Sequence, residues 1–233
     1  MKRISTPVYI IHYSKLKDRK RYLDNFLNSN FEDYKFIEDF DKEKLEMVKV
    51  NERYIENPGI FKEKIFELWE LDNLEYRKLS DAEISCFFKH IEALRQAANS
   101  KSEYSLILED DVIPVKKFTK GYNKVINSLK NSNWDVVFIG SGIGNNFIYR
   151  KIGKKILFSK PQKVEHPASN CADSYIVKKD VAKKLLTNFT IFHLSYDWEL
   201  AYQMYKLELN VYWATRPLFK QGSKTGDYAS ALR

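Results

Sequence analysis

The feature that most constrains the fold is an alternation of short apolar runs with longer segments of helical periodicity. The runs 8–13 (VYIIHY) and 135–140 (DVVFIG) are typical of buried strands. Segments with apolar residues at helical spacing separate such runs, and the clearest covers 80–99. Strands separated by helices favour a mostly parallel sheet with helices on both faces. The sequence therefore predicts an α/β fold.

Length and composition narrow the class further. A chain of 233 residues suits one domain, which we expect over 1–233. The 44% apolar content argues against intrinsic disorder, and two cysteines are too few for a disulfide framework or a four-thiolate zinc site. The apolar run after Pro7 is too short for a signal core or a membrane span, so we expect a cytoplasmic protein, at most peripheral to the inner face of a membrane.

The charge balance is basic, with 39 Lys and Arg against 31 Asp and Glu and a formal net charge of +8. Such a balance favours anionic partners. The lysines are nevertheless spread along the chain, as on a solubilising surface. No basic motif interleaved with aromatic residues is present, so we expect no nucleic-acid partner.

The acidic triplet Glu109-Asp110-Asp111 directly follows the strand-like run 105–108. In open α/β sheets, ligands bind beyond the carboxyl ends of the strands. Adjacent carboxylates repel one another unless a cation or hydrogen-bond donors neutralise them. Oxygen ligands suit magnesium or manganese, which commonly bridge nucleotide phosphates. The triplet predicts a divalent-metal site for a diphosphate, with a solvated acidic turn as the alternative.

Two further segments are candidates for chemistry. Asp197 lies among aromatic residues, where a desolvated carboxylate can act as a general base; the alternative is an acid that stabilises a helix N-terminus. The segment 220–226 has glycines, lysines and hydroxyls that could hold phosphate oxygens, although it is not a P-loop. Glu83, Cys86 and His90 share one helix face, where packing is favoured over metal binding and Glu83 forms a capping box with Ser80.

Four blocks, in order along the chain, resemble glycosyltransferase family 25, the bacterial lipopolysaccharide and lipooligosaccharide glycosyltransferases. They are 8–19, 79–90 (LSDAEISCFFKH), 106–112 (LILEDDV) and 217–230. The second is similar to the family pattern L-S-x-x-E-[IL]-[GA]-C-x-x-S-H, and the third to L-I-L-E-D-D-V. Lys89 stands where the family has Ser, and His12-Tyr13 stand where it has Asn-Leu.

The resemblance implies a GT-A-type nucleotide-sugar-binding fold, a UDP-linked sugar donor, a divalent metal (manganese or magnesium) and inversion at the anomeric carbon. The expected reaction moves a hexose, galactose or glucose, to a hydroxyl of an oligosaccharide, glycolipid or glycoprotein. Asp111 and Glu109 would hold the metal, and Asp197, or Glu199 in its place, would be the base. The residues expected to bind the donor are Tyr13, Arg19, Glu109, Asp110, Gln221, Ser223 and Lys224.

Two alternatives remain open at this stage. A nucleotidyltransferase that makes a nucleotide-sugar also uses carboxylates, a divalent metal and a nucleotide. A non-catalytic relative could keep the fold and bind a nucleotide-sugar without turnover.

Overall fold

The computed structural model describes residues 2–46, 50–142, 160–168 and 171–230. Its strands are β1 (Val8–Ile11), β2 (Tyr34–Ile37), β3 (Tyr104–Glu109), β4 (Val112–Pro114), β5 (Val136–Phe138), β6 (Gln162–Lys163), β7 (Ser174–Lys178), β8 (Val211–Trp213) and β9 (Phe219–Gln221). Seven of these form one sheet in the order β2-β1-β3-β7-β5-β8-β6, and β4 pairs with β9.

The helices are α1 (Lys17–Asn30), α2 (Pro58–Trp69), α3 (Asp81–Asn99), α4 (Phe118–Leu129), α5 (Lys179–Asn188), α6 (Tyr196–Lys206) and α7 (Gly222–Thr225), with a 3-10 turn at Lys42–Lys44. The predicted capping box is confirmed, because Ser80 accepts from the Glu83 amide and Glu83 accepts from the Ser80 amide. Within the described residues, each helix is too short or too polar to span a lipid bilayer.

The sheet packs helices on both of its faces. Along β1, Tyr9 and Ile11 belong to a core with α3, α5 and α6, whereas Val8 and Ile10 belong to a core with α1 and α4. This alternation follows from the two-residue period of a strand. The predicted fold class, an α/β domain with a mostly parallel central sheet flanked by helices, is confirmed.

Two strands depart from the parallel expectation: β6 pairs antiparallel with β8, and β7 reverses the direction in the middle of the sheet. β7 pairs antiparallel with both β3 and β5, while β1 pairs in parallel with β2 and β3. The beginning of β7 therefore lies at the sheet edge where β1 and β3 end. Residue types cannot show this reversal, because a buried strand has the same apolar composition in either direction.

The β4–β9 ribbon brings the C-terminal segment to the acidic triplet. Val112 pairs with Gln221 and Pro114 with Phe219. The Gly222 amide donates to the Asp111 carbonyl at 2.7 Å, which fixes the start of α7 beside the triplet.

Candidate functional site

A cavity of about 110 Å³ lies beyond the carboxyl ends of β1 and β3. In these strands Ile11 lies opposite Glu109, so the residues that follow them come together. Seven predicted site residues line the cavity: Tyr13, Arg19, Glu109, Asp110, Asp111, Gln221 and Ser223.

Asp110 is the neutralised member of the triplet. It is 7% exposed, and it accepts from Arg19 at 2.7 Å, from His12 Nδ1 at 2.9 Å and from the Tyr13 amide at 3.1 Å. Burial alone would raise the pKa of Asp110, but the hydrogen bonds from His12 and Arg19 outweigh it and hold that pKa below its usual value. Asp110 therefore fixes two parts of the chain: His12 and Tyr13, which directly follow β1, and Arg19 in the first turn of α1.

Asp111 faces the C-terminal segment. Its Oδ2 accepts from the Ser223 hydroxyl at 2.5 Å. Its Oδ1 is buried and has no hydrogen-bond partner among the described residues. Gly222 must be a glycine here, because a Cβ would come within 2.8 Å of the Asp111 carbonyl oxygen. Gln221 likewise has a buried side-chain oxygen, Oε1, without a partner in the described chain.

Glu109 lies against a neutral aromatic network. Its Oε1 is 3.3 Å from His90 Nε2; His90 Nδ1 is 3.4 Å from the Tyr175 hydroxyl, which is 2.8 Å from that of Tyr196. Burial lowers the pKa of His90 to about 3, so this ring supplies no positive charge at neutral pH. Burial and then the charge of Asp111 raise the pKa of Glu109 well above its usual value.

Asp173 joins this group, although it was not among the predicted site residues. It is fully buried, accepts from the Ser174 hydroxyl at 3.1 Å, and leaves its Oδ1 without a partner among the described residues. Burial and then the charge of Asp111 raise the pKa of Asp173 to about 7. In the sequence, Asp173 could have been noticed as an acidic residue directly before a strand-like run. Asp173 reaches this edge of the sheet because β7 is antiparallel to β3. At Gly140, a Cβ would lie 2.1 Å from Asp173 Oδ2.

Asp197 begins α6 near the same carboxylates. Ser195 donates to its Oδ1 at 2.8 Å, yet burial raises the pKa of Asp197 above its usual value. Its charge contributes to the raised pKa of Glu109. Lys224 donates to Cys171 Sγ at 3.1 Å. Its positive charge opposes the effect of burial on the pKa of Asp197 but is the smaller contribution. Both Asp197 and Lys224 lie outside the residues that line the cavity.

Glu199 is held elsewhere. It is fully buried, and its carboxylate accepts from Lys64 at 2.5 Å and Gln203 at 3.2 Å, with the His193 amide at 3.4 Å. The structure therefore ties α6 to α2 through Glu199 and does not bring it to the cavity with the other predicted residues.

A buried cation, Lys89, supports the other wall of the cavity. It is 2% exposed and donates to the His12 carbonyl and to Asp41 at 2.5 Å. Asp41 also accepts from the Ser14 hydroxyl; burial opposes these bonds, but together they lower the pKa of Asp41. Lys89 was not among the predicted site residues. The sequence feature that could have pointed to it is that Lys89 stands where the family has Ser.

Two sets of side chains offer ligand atoms for a divalent cation. Asp111 and Asp173 each offer a buried oxygen without a partner in the described chain, and hard carboxylate oxygens are the donors that magnesium and manganese prefer. Cys86, His90 and Glu109 also place ligand atoms within 4.8 Å of one another. Glu83 is not part of that group, because the capping box holds it at the start of α3.

Three comparisons relate the chain to known proteins. The chain is 22% identical over 193 residues to human procollagen galactosyltransferase 2, a match covering 77% of this chain and 27% of the relative, so the chain spans about a quarter of its length. A solved structure of mouse xyloside xylosyltransferase 1, in its apo form, aligns at 8% identity with a TM-score of 0.38 over 89% of this chain and 83% of that one. The model of glycosyltransferase family 25 (LPS biosynthesis protein) matches residues 5–199, and the chain belongs to that family.

Proposed function

We propose that this chain transfers a hexose, galactose or glucose, from a UDP-sugar to a hydroxyl of a sugar or glycoconjugate acceptor, with inversion and with the help of a divalent metal. One observation carries the proposal. At the carboxyl ends of β1 and β3, Asp110, which is paired with Arg19, stands beside Glu109 and Asp173, whose pKa values are raised. Among the described residues, Asp111 and Asp173 each keep a buried oxygen without a hydrogen-bond partner. A metal–diphosphate ligand would complete such a site.

Arg19 and the segment after β1 form the donor side. Asp110 holds the Arg19 guanidinium against the cavity and also accepts from the Tyr13 amide. Gln221 Oε1, which has no partner among the described residues, can accept a hydrogen bond from a hydroxyl of the nucleotide-sugar. Fixing these groups before the donor binds reduces the entropy cost of orienting it.

Asp111, Glu109 and Asp173 are the residues that would hold the metal. When bound, manganese or magnesium supplies Lewis-acid stabilisation of the charge on the leaving diphosphate. Without a cation, burial and then the like charge of Asp111 disfavour ionisation of Asp173 and raise its pKa to about 7.

Asp197 is the proposed base. Inversion requires a base that takes the proton of the acceptor hydroxyl as the new bond forms opposite the leaving group. Burial raises the pKa of Asp197, which strengthens its carboxylate as a proton acceptor, and Ser195 orients it. Glu199 is assigned a structural role, because Lys64 already neutralises it.

The segment from Gln221 to Lys224 closes the site over the diphosphate. Ser223 bonds Asp111, and Lys224 lies beside Cys171 near the buried carboxylates. A cation at this position offsets phosphate charge when the donor is bound.

The test is release of UDP from UDP-galactose and UDP-glucose, with a sugar acceptor and with manganese or a chelator. Metal-dependent release that requires the acceptor, with an inverted product by NMR, supports the proposal. Pyrophosphate release from a nucleoside triphosphate and a sugar phosphate would instead show a nucleotidyltransferase. Tight UDP-sugar binding without turnover across the acceptor panel would show a non-catalytic relative.

A further inference from the structure

A second cavity, of about 330 Å³, lies between the start of α4 and the loop before β9. Five cations line it: Lys116, Lys117, Lys120, Lys124 and Arg216. None of its lining residues in the described parts of the chain is acidic, and within those parts none of the five cations forms an ion pair. All five side chains are exposed.

The floor of this cavity is apolar. Val115, Val125, Pro217 and Leu218 contribute to its lining, while the cations belong to exposed positions. Five like charges around one small space repel one another, and an anion would relieve that repulsion. Ammonium groups act as point charges toward phosphate oxygens, and a guanidinium adds a planar pair of donors.

The β4–β9 ribbon connects this cavity to the candidate active site. At one end, Val112 pairs with Gln221 beside Asp111; at the other, the Val115 amide donates to the Leu218 carbonyl at the cavity. Strands rise about 3.3 Å per residue, so the three residues of β4 separate the two sites by about 10 Å. That spacing is within the reach of a single glycoconjugate.

We propose that the basic cavity binds a phosphate-bearing group on the acceptor, so that the acceptor is an anionic, phosphorylated glycan or glycolipid. The assignment of the anion to the acceptor rests on the proposed function, whereas the anion site itself rests on the cavity. A phosphate held there would position the rest of the acceptor along the ribbon toward the carboxylates. An anion-binding role for this cavity would also explain part of the chain's net positive charge, since its five cations lie outside the proposed donor site.

The test compares wild type with Lys120→Glu/Arg216→Glu and with a control, Lys62→Glu/Lys184→Glu. The control changes the net charge equally at two exposed lysines outside the cavity. Binding of inorganic phosphate is measured by calorimetry at constant ionic strength, and binding to phosphatidylcholine vesicles with and without phosphatidylglycerol by sedimentation. Melting temperatures check that each variant folds, and the milder Lys120→Ala/Arg216→Ala variant must show an intermediate loss.

We expect the cavity variant to bind phosphatidylglycerol vesicles at least about tenfold more weakly than the control. If the cavity variant loses inorganic phosphate binding to the same extent, a phosphate group alone is sufficient for binding in the cavity. If it loses only vesicle binding, the cavity recognises a lipid headgroup. Equal binding by both variants, whether unchanged or equally weakened, would overturn the proposal. Binding of UDP must be the same in all proteins. If wild type fails to transfer sugar but the phosphate difference persists, the proposed function fails and the anion site stands.

Discussion

Asp110 and Asp173 are buried carboxylates at the same edge of the sheet, and they differ in what surrounds them. Asp110 has the Arg19 guanidinium at 2.7 Å and His12 at 2.9 Å, and its pKa lies below the usual value. Asp173 accepts from the Ser174 hydroxyl on one oxygen, its other oxygen has no partner among the described residues, and its pKa is raised to about 7. Within the described parts of the chain, Asp110 therefore has a cation bonded to it, whereas Asp173 has none within salt-bridge distance.

The difference separates the half of the site that the chain's own donors order from the half that is proposed to bind a ligand. A buried carboxylate with three donors, one of them a cation, is ordered before any ligand arrives. Buried carboxylates without a cation either keep a proton or bind an external cation, since an unpaired buried charge is costly.

The largest expected effect is on the neutralised half. Arg19→Ala leaves Asp110 buried without its cation, and we expect the free energy of unfolding at pH 7 to fall by about 3–5 kcal/mol. Urea unfolding measures it. The control is Arg21→Ala, whose exposed partner Asp18 is 3.7 Å away and whose loss should be below about 1 kcal/mol. Equal losses would show that the Arg19–Asp110 pair does not order this wall.

On the other half, Asp111→Ala should lower the rate of transfer by about 10²–10³ while leaving the fold intact. The substitution removes a proposed metal ligand but also removes like-charge repulsion on Glu109. Activity is followed by UDP release, and stability by urea unfolding. Asp180→Ala, at an exposed position on α5, is the matched control. Full activity of Asp111→Ala would contradict the metal assignment.

Asp173→Asn should abolish a specific pH dependence of stability. In the folded protein Asp173 keeps its proton up to about pH 7, whereas the unfolded chain releases it near 3.8. The free energy of unfolding therefore falls as pH rises through this window. In metal-free buffer at pH 8 we expect the Asn variant to be more stable than wild type by on the order of 4 kcal/mol, with the difference vanishing below pH 4. A difference independent of pH would show that Asp173 is ionised throughout.

A smaller effect is expected from Ser195→Ala. It removes the 2.8 Å hydrogen bond that holds the pKa of Asp197 down, so that pKa rises further. The acidic limb of the pH–rate profile should move to higher pH, with a stability loss of about 1 kcal/mol. Ser29→Ala, whose exposed hydroxyl bonds only a helix carbonyl, should leave the profile in place. An unmoved limb in Ser195→Ala would remove Asp197 from the role of base.

Local patterns predicted much of this architecture. A β-branched run predicted strand β1, and the apolar run 105–108 predicted a strand that ends at the acidic triplet. Helical spacing and the Ser80–Glu83 pair predicted the capped helix α3. These features depend on neighbours within a few residues. Their positions relative to the sheet edge also follow from the rule for parallel strands.

The remaining features depend on contacts between distant parts of the chain. Asp173 reaches the site only through the antiparallel direction of β7, and Glu199 is kept from it by Lys64, which is 135 residues away. Nor does spacing along the chain show that Lys89 bonds Asp41 across 48 residues. The position of helix α2 also depends on such contacts, because its apolar residues pack with α6 rather than on the sheet.

The central claim is that the unneutralised carboxylates release a proton and take up a divalent cation. Calorimetric titration of the metal-free protein with manganese at pH 6, in buffers of different ionisation enthalpy, measures both events at once. We predict binding by wild type with release of about one proton per ion, because Asp173, whose pKa is raised to about 7, is protonated at pH 6 before the metal binds. The Asp111→Asn variant should bind much more weakly. Binding without proton release, or no binding by wild type with or without UDP-galactose, would contradict the account.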